Sequence, residues 1–150
     1  MPSTEETEIH QLLGELSQAW ERGDAKAFGE RFQTDGTFTN VNGGFFIGRE
    51  EFDRRHEDVF RGVFKSTRLA LTVRQLRFVR ADVAIADLDV AVSGCAARPL
   101  GAQVDPDGTL HSSLLLVLIK GSGKWWIATY HNVWQAARDY SKDTTRASQT

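Results

Sequence analysis

The apolar positions of this chain change period along its length, first falling three and four apart and later alternating. Ile9, Leu12, Leu13, Leu16 and Trp20 lie on one helical face, which predicts a first helix opened by Thr4 or Thr7 as N-cap and stopped at Gly23. Asp24 can cap a second, shorter helix over 25–32, with Ala27, Phe28 and Phe32 turned inward. Asp35-Gly36 turns the chain into a short strand over 37–41, Asn42-Gly43-Gly44 reverses it, and Phe45-Phe46-Ile47 returns. Phe52, Val59, Phe60, Val63 and Phe64 mark a third helix over 49–64, and His56 falls on the same stripe.

From residue 67 alternation takes over. Leu69, Leu71 and Val73 share one parity while Leu76 and Phe78 take the other, a slip of one that predicts a bulge near Gln75 in a strand over 67–79. Residues 83–93 read as its hairpin partner, 94–108 as a loop holding two of the three prolines, and 109–119 as a further strand. The strongest signal comes last. Leu114 to Ile119 and Trp125 to Trp134 are dense in apolar, aromatic and β-branched residues, and Lys120-Gly121-Ser122-Gly123-Lys124 joins them as a hairpin. Helices followed by strands imply an α+β fold, with three helices packed on one strongly curved, mostly antiparallel sheet that makes a cone with an open mouth. A single domain is expected over 1–136, and the polar, unpatterned stretch 137–150 is expected to be a disordered tail.

Composition narrows the class. A length of 150 residues suits one domain, and a net charge of −2 gives no electrostatic footprint for nucleic acid or an anionic membrane. The single cysteine, Cys95, leaves no internal disulfide or cysteine-based zinc site, and no H-x-H or H-x-x-x-H spacing exists, so no metal and no cofactor are expected. The N-terminal stretch is acidic and polar rather than basic then apolar, and no apolar run reaches membrane-helix length; the expectation is a cytoplasmic protein.

Several stretches together resemble the nuclear transport factor 2-like superfamily. They are Trp20-Glu21-Arg22-Gly23-Asp24, Phe32-Gln33-Thr34-Asp35-Gly36, Ile47-Gly48-Arg49-Glu50 and Gly123-Lys124-Trp125-Trp126-Ile127-Ala128 with Tyr130-His131-Asn132. With His56 and Phe60-Arg61-Gly62-Val63-Phe64, the chain looks most like the SgcJ/EcaC group, near the SnoaL-like polyketide cyclases, which includes proteins of enediyne antibiotic clusters. The resemblance implies a cone-shaped fold around an apolar pocket for a hydrophobic small molecule; a homodimer through the sheet is expected beside it. It argues against ketosteroid isomerase chemistry. The base position falls on Asn40, which cannot exchange a proton near neutral pH, the tyrosine position on Leu16, and the acid position near Leu114 or Leu115.

Two histidines then stand out. His56 would lie on the helix that crosses the cone, and His131 shares strand parity with Trp125, Ile127 and Thr129, which the family pattern turns inward. Each is either a proton-transfer group or a core histidine bonded to a backbone carbonyl. Trp20, Phe38, Phe60, Phe64 and Trp125 would supply apolar walls, Asn40 and Asn132 hydrogen bonds to a ligand oxygen, and Thr129 a further contact. Strict alternation turns Asn132 outward unless the strand bulges. Two functions remain open: cyclase- or isomerase-like proton transfer on an enediyne- or polyketide-type intermediate, or non-catalytic ligand binding or dimerisation. For dimerisation, Trp126, Tyr130 and Trp134 are the expected outer-face residues.

Overall fold

Helix α1, Thr4–Arg22, begins one residue earlier than a Thr4 cap allows and four earlier than a Thr7 cap, because the Ser3 hydroxyl accepts the Glu6 N–H. It stops where Gly23 takes a left-handed conformation and its N–H bonds back to the helix carbonyls. Helix α2 is a single turn, Ala25–Phe28, capped by Asp24, whose side chain accepts the Ala27 N–H. It is shorter than expected because Gly29 ends it and Phe32 already belongs to a strand. Helix α3, Arg49–Arg61, also ends early, at Gly62.

The strands are β1 Phe32–Thr39, β2 Phe45–Ile47, β3 Arg68–Arg80, β4 Val83–Ser93, β5 Leu110–Gly121 and β6 Lys124–Trp134. They form one six-stranded sheet in the order β2-β1-β6-β5-β4-β3, antiparallel throughout except for the parallel pair β1–β6. That parallel pair joins two ends of the chain and has no local sequence signature. The computed structural model describes residues 2–99, 102 and 104–135; the expected tail over 137–150 lies outside the described residues.

Curvature comes from irregularities in the ladders. β3 shifts register against β4 between Val73 and Gln75, so Leu69, Leu71 and Val73 and then Leu76 and Phe78 all reach the core, as the parity slip predicts. β1 shifts against β6 between Phe32 and Thr37, and there the Phe32 ring lies over Gly36; a Cβ at that glycine would stand 2.8 Å from the ring. A third shift, between Val117 and Leu118 of β5, leaves Ala128 of β6 without a partner. The consequence is large, because everything after Ala128 changes face.

The concave face carries the core. On β4 and β5, alternate residues from Ala84 to Val92 and from Leu110 to Leu118 are buried under the helices. A cluster of rings fills the space between α3 and β1. Phe52 stacks on Phe32 (centroids 4.2 Å apart) and on Phe28 (5.8 Å), and meets Phe38 and Tyr130 edge-on. At the opposite end of the sheet, Glu5 of α1 accepts from Lys120 Nζ and from Trp125 Nε1 at 2.8 Å each, which ties the first helical turn to the β5–β6 hairpin. No helix among the described residues is long and apolar enough to cross a membrane.

Candidate functional site

Between the helices and the concave face lies a cavity of about 80 Å³. Trp20 of α1, His56 and Val59 of α3, and Phe64 just beyond α3 form one side. Phe38, Asn40 and Val41 of β1 and the turn after it, and Leu69, Val90, Val92 and Ser112 of β3 to β5, form the rest with Tyr130, Asn132 and Trp134 of β6. Most of the wall is apolar; the polar groups are few and grouped.

His56 belongs here for a simple reason. It stands four residues after Phe52 and four before Phe60, so the helix turns all three to one side. Its Nδ1 lies 2.8 Å from the Phe52 carbonyl, and since that oxygen can only accept, Nδ1 carries the proton and donates. Nε2 is left as an acceptor. The ring is almost fully buried among Phe28, Phe38, Phe52 and Tyr130, with centroids 4.3 to 6.2 Å away. Burial disfavours the imidazolium and pushes the His56 pKa down to about 4, against which the carbonyl bond is the smaller effect. His56 is therefore neutral at physiological pH. Burial pushes the Tyr130 phenol up, so it stays protonated beside it.

The strand β6 corrects the expectation for His131. Before Ala128, Trp125 and Ile127 face the core; after it, Tyr130 faces the core and Asn132 and Trp134 the cavity, while Thr129 and His131 face out. His131 is exposed on the convex face, between Thr39 of β1 and Leu115 of β5. Thr129 bonds across that same face to the Thr37 hydroxyl at 3.0 Å. The extra residue in the strand is the physical cause, since a one-residue slip in a period of two exchanges inside for outside. The same slip brings in Asn132 and also Tyr130 and Trp134; of the three aromatics expected on the outer face, Trp126, Tyr130 and Trp134, only Trp126 faces outward.

Trp20, Phe38, Phe64, His56, Asn40 and Asn132 are brought together around the cavity, whereas Phe60 and Trp125 are not. Phe60 is packed edge-on against Trp20, centroids 5.0 Å apart, behind the wall. Trp125 is buried near the closed end, against Phe78 and bonded to Glu5. Asn40 stands at the rim with its oxygen already engaged, accepting the N–H groups of Asn42 and Gly44 in the turn. Its amide nitrogen alone can serve a ligand. Ser112 and Val59 carry no signal in the sequence that separates them from ordinary core positions.

Two buried side-chain atoms beside the cavity have no hydrogen-bond partner among the described residues: Asn132 Oδ1 and Trp134 Nε1. Folded proteins seldom leave such groups unpaired.

Residues 9–132 match the family model of the SnoaL-like domain. No curated protein matches the chain. Among solved structures, a domain of unknown function with a cystatin-like fold from Nostoc punctiforme superposes with a TM-score of 0.78 at 23% identity, covering 100% of this chain and 89% of that one. An NTF-2-like protein from Shewanella oneidensis gives 0.69 at 18%, covering 85% and 97%. A ketosteroid isomerase-like protein from Erwinia carotovora atroseptica gives 0.69 at 17%, covering 91% and 100%. At these identities the likeness is one of fold.

Proposed function

Because the chain belongs to the SnoaL-like domain family, within the nuclear transport factor 2-like superfamily, we propose that it binds a small apolar molecule in the cone and shields it without transferring a proton. The fold often holds small molecules and includes isomerases and dehydratases, so the cavity is the natural place for a ligand. One observation favours holding over chemistry. Among the described residues the ionisable groups lining the cavity are His56 and Tyr130, and burial moves both away from neutral pH, His56 down and Tyr130 up. An efficient proton-transfer group has a pKa near the operating pH. A histidine at about 4 is a weak base but a good hydrogen-bond acceptor.

The likeness of His56 and Phe60-Arg61-Gly62-Val63-Phe64 to the SgcJ/EcaC group supports an enediyne- or polyketide-type intermediate as the ligand. Size sets a condition. The cavity of 80 Å³ is about half the ~150 Å³ of a dry cavity that accepts benzene. A single ring enters only as the half-buried rim, Val41 and Phe64, gives way. The test is a single-ring polyketide fragment, 2,4-dihydroxyacetophenone, titrated at pH 7 and then incubated for a day with the protein. Saturable binding with unmodified compound recovered is the expected result. Turnover above the protein-free rate would sink the shielding reading, and absence of binding would sink both.

We further propose that two copies pair through the convex face of the sheet. β5 is apolar on both faces, with Leu115, Val117 and Ile119 pointing away from the core; a strand exposed on one side ordinarily alternates with polar residues there. Cross-strand neighbours extend the patch through Ile85 and Val83 on β4 and Trp126 on β6. Asp89, held by Arg74 and Gln135, lies toward its polar margin. Sedimentation equilibrium should give a dimer, converted to monomer by Val117→Asp. A wild-type monomer at high concentration would refute the pairing.

A further inference from the structure

We propose that the cavity selects an uncharged, hydroxyl-bearing apolar ligand, and that Asn132 and Trp134 read its hydroxyl as an acceptor and a donor. The proposal rests on the ligand-binding reading above and adds the ligand's chemistry to it. It starts from the two buried atoms without partners among the described residues, Asn132 Oδ1 and Trp134 Nε1, whose residues both line the cavity. They stand two apart on one face of β6, with Cα atoms roughly 7 Å apart, so one hydroxyl spans both where the two side-chain tips converge to about two hydrogen-bond lengths. Trp134 is oriented by Phe64, whose ring stacks on it at 6.4 Å with an interplanar angle of 23°. That stack limits the directions in which the indole N–H can point.

The chemistry of the pair narrows what can satisfy it. The indole nitrogen only donates, and a carboxamide oxygen only accepts. A hydroxyl does both jobs at one atom, accepting from Trp134 and donating to Asn132. A ketone answers Trp134 alone, and an ammonium answers Asn132 alone. A carboxylate has no proton to give, and it would also enter a cavity whose wall holds no lysine or arginine among the described residues. The one imidazole there, His56, is neutral because it is buried. An anion without a counter-charge in such surroundings is strongly disfavoured. The ligand is therefore neutral, apolar in its body, and hydroxylated at the β6 end. His56 Nε2 and the Tyr130 phenol, further in, offer a second acceptor and a donor for a ligand with another polar group.

The experiment compares phenol, benzene and benzoate on the wild-type protein at pH 7. Affinities come from calorimetry, and the indole N–H resonances are followed by 1H–15N NMR, the Trp134 signal being assigned by its loss in Trp134→Phe. Phenol is expected to bind about ten- to a hundredfold more tightly than benzene, the range for two modest hydrogen bonds. Benzoate should bind at least about tenfold more weakly than phenol. The Trp134 N–H resonance should move with phenol and stay with benzene. In Trp134→Phe, which keeps a ring against Phe64, the preference for phenol over benzene should shrink by about five- to tenfold. Equal affinity for phenol and benzene overturns the proposal while leaving the cavity a ligand site. Benzoate binding more tightly than phenol overturns the uncharged ligand. Failure of all three to bind removes the ligand-binding reading and this one with it. If Trp134→Phe does not fold, the three wild-type affinities still decide.

Discussion

Phe52→Ala should destabilise the protein more than any other single truncation in the aromatic cluster, by about 3–5 kcal/mol. Phe52 is fully buried and its ring is sandwiched between Phe28 and Phe32, with Phe38, Tyr130 and His56 around it. These partners come from α2, β1, α3 and β6, so the cavity left behind cannot close by moving one element. The loss combines the transfer of a phenyl group to water with the lining contacts that the void forfeits. Set against a total stability of roughly 5–15 kcal/mol, that leaves a weakly folded protein. Phe52→Leu should lose markedly less, because a branched aliphatic side chain refills part of the space. Urea midpoints at constant slope measure both variants, with a Tm drop on the order of 10 °C for the alanine. A loss below about 1 kcal/mol for Phe52→Ala would mean that the ring cluster is not the centre of the core.

The same residues show how far the sequence carries. Phe52, His56 and Phe60 fall four apart on one helix, and four apart is enough to put them on one face. His56 could thus be placed inside from spacing alone. The bulge in β3 was readable too, because its outward positions are mostly polar and the apolar parity visibly changes at Gln75. β6 offers no such contrast. Trp125, Trp126, Ile127, Tyr130, Val133 and Trp134 occupy both parities, so the extra residue at Ala128 leaves no trace in the pattern. The error at His131, Thr129, Tyr130 and Trp134 follows from that one slip. The parallel pairing of β1 with β6 was also beyond reach, since it rests on contacts some ninety residues apart. It is this pairing that sets Phe38 beside Tyr130 and so closes the cavity wall.

Acidification from pH 6.5 to 4 should remove about 3 kcal/mol of stability through His56 alone, an order-of-magnitude figure. In the unfolded chain the imidazole has its ordinary pKa near 6.5; in the folded protein burial holds it at about 4. Between those values the unfolded state binds a proton that the folded state refuses, so stability falls as pH falls. Above 6.5 both states are neutral and below 4 both are charged, and His56 contributes no slope in either range. Other groups act in different windows or with the other sign. Glu5 is held low by Lys120, so its contribution is lost only as pH drops below the ordinary carboxylate range. Asp53 is raised by burial, and its protonation in acid favours the folded state. His56→Gln removes the titration while leaving an amide that can still donate to the Phe52 carbonyl. Urea midpoints taken at half-unit steps should therefore fall through the 6.5–4 window for the wild type and run much flatter for the variant. Parallel curves would show that the imidazole is not shielded from water, and with that the neutral acceptor at the heart of the cavity would be lost.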